Sequence, residues 1–459
     1  MPIKVVNIIP KALSGDRGLD SEPSLAVNPE NPKEMVASAF TPDPMGGPFA
    51  PIFVSTDGGD TWVLNSVVPG NGGRGTGDIS VGFGGQGGRL YTGILNGETS
   101  DLQILRMPDV TVPDPMDEIV DRSDEDQPWV VATTVAANGV SSDRVYVGNN
   151  DSSEEPRPAT VDVASDGRTA AGQAGFETVR LDRRGDTVHD GPPIRIAVHP
   201  DGSVYTAYQR WTEFSATRIV TFDVVVTRDD KGGIGPNPFE DLLDPDDSEV
   251  GLRVVTGRKV RFNVQVPSLG QERTGADLAI AVDQTDSNSV WIAWCDNQGG
   301  AAPTDYVLHI RHSADRGATW AVAHPDIRNG KNPALAVNSD GLVGLLYQQL
   351  EHNQWSTVLE LTRDLFQTTD RQVLHQAPGD VPPAGFNLPF LGDYLRMITV
   401  GKDFYGIFSG NNTPDLANFP VGVTYQRNAN FTTHQLLSTN SITRVPPSID
   451  PFFFHWWAA

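Results

Sequence analysis

The chain contains one cysteine, Cys295, in 459 residues, so no internal disulfide can form. That cysteine lies in the apolar stretch Val290-Trp291-Ile292-Ala293-Trp294-Cys295 and reads as a buried, inert thiol. Long amphipathic helical patterns are missing, which favours short strands joined by turns. No apolar run is long enough to cross a membrane as a helix. Met1-Pro2-Ile3-Lys4-Val5-Val6 lacks the regions of a signal peptide. The expectation is an intracellular chain, one exported by another route, or one whose signal has been removed. Positive charge is scarce: the formal net charge is −24, the sequence pI is about 4.6, and the basic residues are mostly arginine. Such a surface repels nucleic acid and anionic membranes, so neither is expected as a partner. There is no H-E-x-x-H, no G-x-S-x-G and no P-loop, and the nine histidines show no zinc spacing.

Glycine (46) and proline (35) are abundant, and one turn is written twice. Ser55-Thr56-Asp57-Gly58-Gly59-Asp60-Thr61-Trp62 and Ser313-Ala314-Asp315-Arg316-Gly317-Ala318-Thr319-Trp320 both read S-x-D-x-G-x-T-W, each between two apolar strands. The Asp accepts loop N–H groups, the Gly allows positive φ, and the Trp anchors the turn as a core residue. The two copies resemble the Asp-box (BNR) repeat of sialidase-like β-propellers. The opening Ser21-Glu22-Pro23-Ser24-Leu25-Ala26-Val27-Asn28-Pro29 and the later Gly392-Asp393-Tyr394 are similar to segments of bacterial sialidase-like proteins.

With the phase set by these turns, a weaker repeat emerges. First strands begin near Ser24, Ile79, Trp129, Ile194, Leu278, Ala334 and Leu395. The spacing, about 50 to 85 residues, suits four-stranded blades. The expected fold is all-β: a single β-propeller over 1–459 of four-stranded antiparallel blades, seven favoured and six the alternative. The first blade starts at about 20, the fourth carries a long insertion at 229–272, and an aromatic tail at 445–459 packs on the propeller. Ile3-Lys4-Val5-Val6-Asn7-Ile8-Ile9 reads as a strand that pairs with the last blade. Thr227-Arg228-Asp229, Thr362-Arg363-Asp364 and Gln426-Arg427-Asn428 read as degenerate copies of the Asp turn.

Propeller topology puts the start of each first strand and the end of each second strand on one face, opposite the Asp turns. The first set is Glu22, Asp78, Asp126, Asp190, Asp277, Asn332 and Asp393. The second set includes Asn96, Asn150, Arg210, Trp211, Asp296, Gln348 and Asn411. Carboxylates and amides bond sugar hydroxyls and Trp stacks on sugar rings, so a glycan is the expected partner; the same groups also cap strand ends and loops. Repulsion within such a ring calls for arginine pairing, a bound Ca²⁺ or raised pKa values. The acidic stretch Asp241–Glu249 offers a second Ca²⁺ candidate, a solvated loop being the other reading.

The sialidase-like resemblance implies three arginines on a substrate carboxylate, a Tyr–Glu nucleophile pair and an Asp acid/base. Carried onto this chain, the catalytic candidates are Glu22, Asp126, Asp393 and Tyr394. The substrate-binding candidates are Arg195, Arg273, Arg396, Arg210, Trp211, Asp296 and Asn150. The family's first-blade Arg-Ile-Pro is Glu22-Pro23-Ser24 here, a carboxylate where an arginine is expected. Two functional readings follow: a glycan-directed propeller, either glycoside hydrolase relative or carbohydrate-binding module, and a non-catalytic scaffold that binds protein partners.

Overall fold

Short β-branched and aromatic segments, cut by Gly, Pro, Asn and Asp turns, fold as strands almost throughout. The computed structural model describes residues 3–40, 51–66, 76–85, 87–96, 101–112, 116–137, 140–262, 264–266, 270–272, 278–297, 306–381 and 391–458. Helix among them is confined to short 3-10 turns such as Lys11–Leu13 and Leu416–Asn418.

Six sheets are four-stranded, antiparallel and ordered as in the sequence. Their first strands are Ser21–Val27, Thr76–Phe83, Glu125–Ala137, His189–Val198, Leu278–Asp283 and Gly330–Val337. A further sheet begins with Arg396–Val400 and Asp403–Asn411, continues with Ile449–Trp456 and Ile3–Asn7, and ends on Thr424–Tyr425. Each first strand packs beside the first strand of the next sheet, and Arg396–Val400 returns to Ser21–Val27. The sheets therefore close into a ring around a central channel, the architecture of a β-propeller. Small two- and three-stranded sheets decorate it at Val264–Val266 and Ala429–Asn430.

Closure joins the two ends of the chain. Ile3 pairs with Trp456 and Asn7 with Phe452, antiparallel, while Ile449–Trp456 also pairs with Asp403–Asn411. The N-terminal segment takes the place expected of it. The aromatic tail does not pack on a finished propeller: it is a strand of the closing sheet, and Phe452, Phe453 and Phe454 are fully buried. A hydrophobic layer separates every pair of neighbouring sheets, the last and first included.

The Asp turns sit at the ends of third strands, because Ser55 pairs with Met35 at the start of the second strand. Asp57 accepts from Thr61 N at 2.9 Å and Thr61 Oγ1 at 2.6 Å, and Gly59 N donates to Ser55 Oγ at 2.9 Å. Asp315 accepts from Thr319 N at 2.8 Å and Thr319 Oγ1 at 2.6 Å. Asp364 makes the same bonds to Thr368, at 2.9 and 2.7 Å, with Phe366 at φ 59° in the glycine position. Asp229 gathers the N–H groups of Lys231, Gly233 and Phe239 in a different loop. Gln426-Arg427-Asn428 is no such turn: Arg427 is buried on Asp450, 2.8 Å away.

Two further expectations need correcting. A regular strand, Leu252–Arg261, lies inside the stretch read as an insertion and is the fourth strand of its sheet. Trp62 is buried with its ring 5.4 Å from Phe453, but Trp320 is only half-buried. In urea unfolding, Trp62→Ala should cost about 3–5 kcal/mol, as large-to-small core changes do, and Trp320→Ala clearly less. Equal losses would show that burial at these two turns does not set their contribution.

Candidate functional site

Five first strands bulge at the end where they begin. The ladder shifts between Ser21 and Ser24, Thr76 and Ile79, Asp126 and Trp129, Asp190 and Ile194, and Lys331 and Ala334. Glu22, Gln127 and Asn332 occupy such bulges at φ 53°, 55° and 50°, each followed by a proline. Left-handed backbone costs a non-glycine residue about 1–3 kcal/mol and persists only where the surroundings dictate it. Here it turns one side chain per bulge out of the strand's regular alternation.

Gly392-Asp393-Tyr394 is the hub of this face. Gly392 has φ 85°, and a Cβ there would lie 2.5 Å from Glu22 Cγ and 2.7 Å from Glu22 N, so only glycine fits. Its carbonyl accepts from Asn332 Nδ2 at 3.0 Å and Lys331 Nζ at 3.3 Å. Asp393 N donates to Glu22 Oε1 at 3.1 Å. Tyr394 Oη donates to Asp78 Oδ1 at 3.1 Å, and its ring meets Trp129 edge-on at 5.8 Å. Burial, then the carboxylates of Asp78 and Glu22, hold the Tyr394 phenol far above its ordinary pKa, so it keeps its proton.

Trp129 is clasped by two cations. Arg195 Cζ lies 4.1 Å and Arg396 Cζ 4.2 Å from the indole centroid. Arg396 Nη2 donates to Val130 O at 2.8 Å. Burial and the nearby Arg195 charge push the Arg396 guanidinium down to about 9. These three residues stand at one end of a cavity of about 550 Å³ that runs down the channel between the first strands.

The structure thus brings together Glu22, Asp78, Asn332, Asp393, Tyr394, Arg195 and Arg396, and sets Trp129 among them. Arg273 and Asp277 lie outside the described residues. Asp126 is not in the cluster: it stands at the edge of the bulge and faces Arg157 at 3.4 Å. Asp190 is buried between sheets, accepting from Ala159 N at 2.7 Å, and burial with neighbouring Asp182 raises its pKa well above the ordinary value. The expected ring of carboxylates therefore does not converge on one point.

Of the second-strand candidates, Asn150 and Asp296 tie neighbouring sheets together, while Arg210 and Trp211 are engaged within their own sheet and its flanking loops. Arg210 pairs with Asp223 at 2.9 Å and with Asp186, and donates to Thr187 at 2.8 Å. Trp211 packs on Phe262 at 4.8 Å in the core. Asn150 Nδ2 donates to Gly191 O at 3.1 Å. Asp296, fully buried, takes Arg258 Nε at 2.6 Å and Nη2 at 2.9 Å and faces His309 Nε2 at 3.1 Å. Burial opposes its ionisation, but the hydrogen bonds of His309 and Arg258 outweigh that and hold it at about 2. In the acidic stretch, Asp244 accepts from Arg253 Nε and Asp247 from Arg184 Nε, both at 2.9 Å. Among the described residues no group of three or more acidic, His or Cys side chains is arranged to hold a metal.

Glu125 escaped the sequence reading. It is buried beside the third bulge, and burial, then Asp162 and Asp151, push its carboxyl up to about 8. The motif D-E-D-Q-P around it was the available signal. Because the native state holds this proton and the unfolded chain releases it near 4.5, stability should fall as pH rises between those values, by at most about 1.4 kcal/mol per pH unit. Glu125→Gln should flatten that slope in denaturation curves collected from pH 5 to 9. An unchanged slope would mean Glu125 is ionised in the native protein.

No protein-family model matches the chain, and no curated protein matches it. Solved structures do. An ulvan lyase of polysaccharide lyase family PL25, bound to a GlcA–Rha3S chain, is 10% identical, with 87% of this chain and 93% of that one covered, at a TM-score of 0.50. An α-L-arabinanase of Penicillium chrysogenum complexed with arabinobiose is 12% identical, with 98% and 97% covered, at 0.42. A Hadza microbial sialidase is 12% identical, with 85% and 65% covered, at 0.36. At such identities the likeness concerns the fold.

Proposed function

We propose that the chain is a glycan-directed, sialidase-like β-propeller of seven blades in one domain, with BNR-type Asp-box turns on one face and its sugar site on the other. The observation that carries this reading is the meeting of Tyr394, Asp78 and Glu22 from three sheets beside the Trp129 ring. A phenol donating to a carboxylate is the pair that the sialidase-like resemblance implies for a nucleophile, and Asp78 takes the carboxylate's role. In a hydrolytic role the Tyr394 oxygen attacks the anomeric carbon while its proton passes to Asp78. Asp393 is the candidate acid that protonates the leaving oxygen. Trp129 offers a stacking face, and Arg195, Arg396 and Arg273 are the candidates for an acidic substituent. The ulvan lyase likeness supports the fold on which the reading stands.

A scaffold role is favoured by one observation: Glu22, Asp393 and Tyr394 are 2, 1 and 5% exposed, as structural groups are. Glycan-array binding, with hydrolysis assays on sialosides and neutral oligosaccharides, separates the two. Tyr394→Phe should keep the fold and lower turnover by about 10²–10⁴, the usual contribution of such a group. Binding without turnover identifies a carbohydrate-binding module. Silence of the folded parent in both assays, with a protein partner recovered in native mass measurements, would establish the scaffold instead.

A further inference from the structure

The channel has a second end. Its lining reaches Pro29, Gln284, Ser339 and Gly401, all exposed, in the turns that follow the first strands. Those turns lie on the face of the Asp turns, opposite the bulges. From Arg396 to Gly401 is five residues, a depth of about 17 Å at about 3.3 Å per residue. For about 550 Å³ that leaves a bore of roughly 30 Å² at this rise per residue, wide enough for one alkyl chain. Small and apolar side chains dominate the walls, Ala197, Ala279, Ala281 and Ala336 with Leu335 and Met397, and Thr133 and Thr399 are set among them.

The floor is of opposite character. Arg396 is 7% exposed and lines the cavity, and its Nη1 has no hydrogen-bond partner among the described residues. Nor does it form an ion pair among them: its company is the Trp129 ring, the Val130 carbonyl and, close by, the like charge of Arg195. A buried guanidinium without a counter-anion is costly, and its planar fork matches a carboxylate. A bore with small apolar side chains along its walls, floored by a cation that has no counter-anion among the described residues, is complementary to one ligand chemistry, an apolar body carrying a single anionic head.

We propose that the channel binds a straight-chain aliphatic carboxylate entering from the Asp-turn face, its carboxylate on Arg396 beside Trp129 and its alkyl chain along the alanine-lined bore. The ligand enters from the face opposite the sugar site; the two sites share Arg396 and Trp129, but the bore can bind its ligand whether or not the bulge face takes a sugar. The net charge of −24 opposes an anion everywhere on the surface, so specificity resides in the buried cation.

Calorimetric titration of the whole chain with decanoate and with decan-1-ol tests the proposal. Decanoate should bind one to one and at least tenfold more tightly than the alcohol. Arg396→Gln should abolish that preference, and Ser339→Trp at the open rim should weaken decanoate at least tenfold while leaving glycan binding as in the parent. If Arg396→Gln does not fold, the acid-to-alcohol ratio of the parent and the rim variant decide. Equal affinity for acid and alcohol, binding of several molecules insensitive to the rim variant, or no binding by the folded parent would each overturn the site. Since decanoate and glycan are titrated separately, failure of one reading leaves the other standing.

Discussion

Everything in this molecule depends on the last sheet being built from both ends of the chain. A ring of sheets packed face to face has no stable open form. Without closure, the sheet at each end would present a whole apolar face to water. Ile3–Asn7 lies in the ladder beside Ile449–Trp456, and the layer made by Val6, Ile8, Phe453 and Trp62 seals the seam. Only then are the first strands held at fixed spacing, and only then do Glu22, Asp78, Trp129 and Tyr394, far from one another in the chain, meet.

The bulges convert this regular frame into a site. A strand alternates its side chains between faces, so a ring of regular strands would present the same kind of residue at every level of the channel. In five of the first strands a bulge breaks that rule at the rim. The glycine hub at Gly392 exists because the backbone of Glu22 comes too close for any side chain. Strain, tight contact and buried charge are thus confined to one end of the channel, while its body stays small-walled and regular.

What the sequence could reveal follows the same division. The Asp turns are legible because donors and acceptors lie within eight consecutive residues, and even the variant at Asp364 keeps its hydroxyls and carboxylate in place. The repeat of first strands and the pairing of the N-terminal strand were legible for a related reason, the hydrophobic pattern. Asp126 lies outside the cluster because a bulge between Asp126 and Trp129 shifts the phase of the strand, with Gln127 in left-handed backbone within it. Arg210, Asn150 and Asp296 were misread because their partners lie across a strand pair or in a neighbouring sheet, and composition alone does not distinguish a tie from a ligand group. The aromatic tail was read as apolar and docked; that it is hydrogen-bonded into the sheet is a matter of register, which its composition does not carry.

Arginine, rather than lysine, does the joining in this acidic chain. Arg184, Arg210, Arg258 and Arg427 each engage a carboxylate with a planar fork, most of them deep in the fold. Set against these, Arg396 is unusual in resting on an indole face and a carbonyl.

The closing ladder also has a mechanical side. Ile3 stands opposite Trp456 in an antiparallel pair, so a load drawn between those two residues pulls across the strands rather than along them. The hydrogen bonds would break in succession, as a zipper opens, with no moment at which all resist together. The same construction that covers every sheet on both sides thus makes the seam the place where such a load opens the ring.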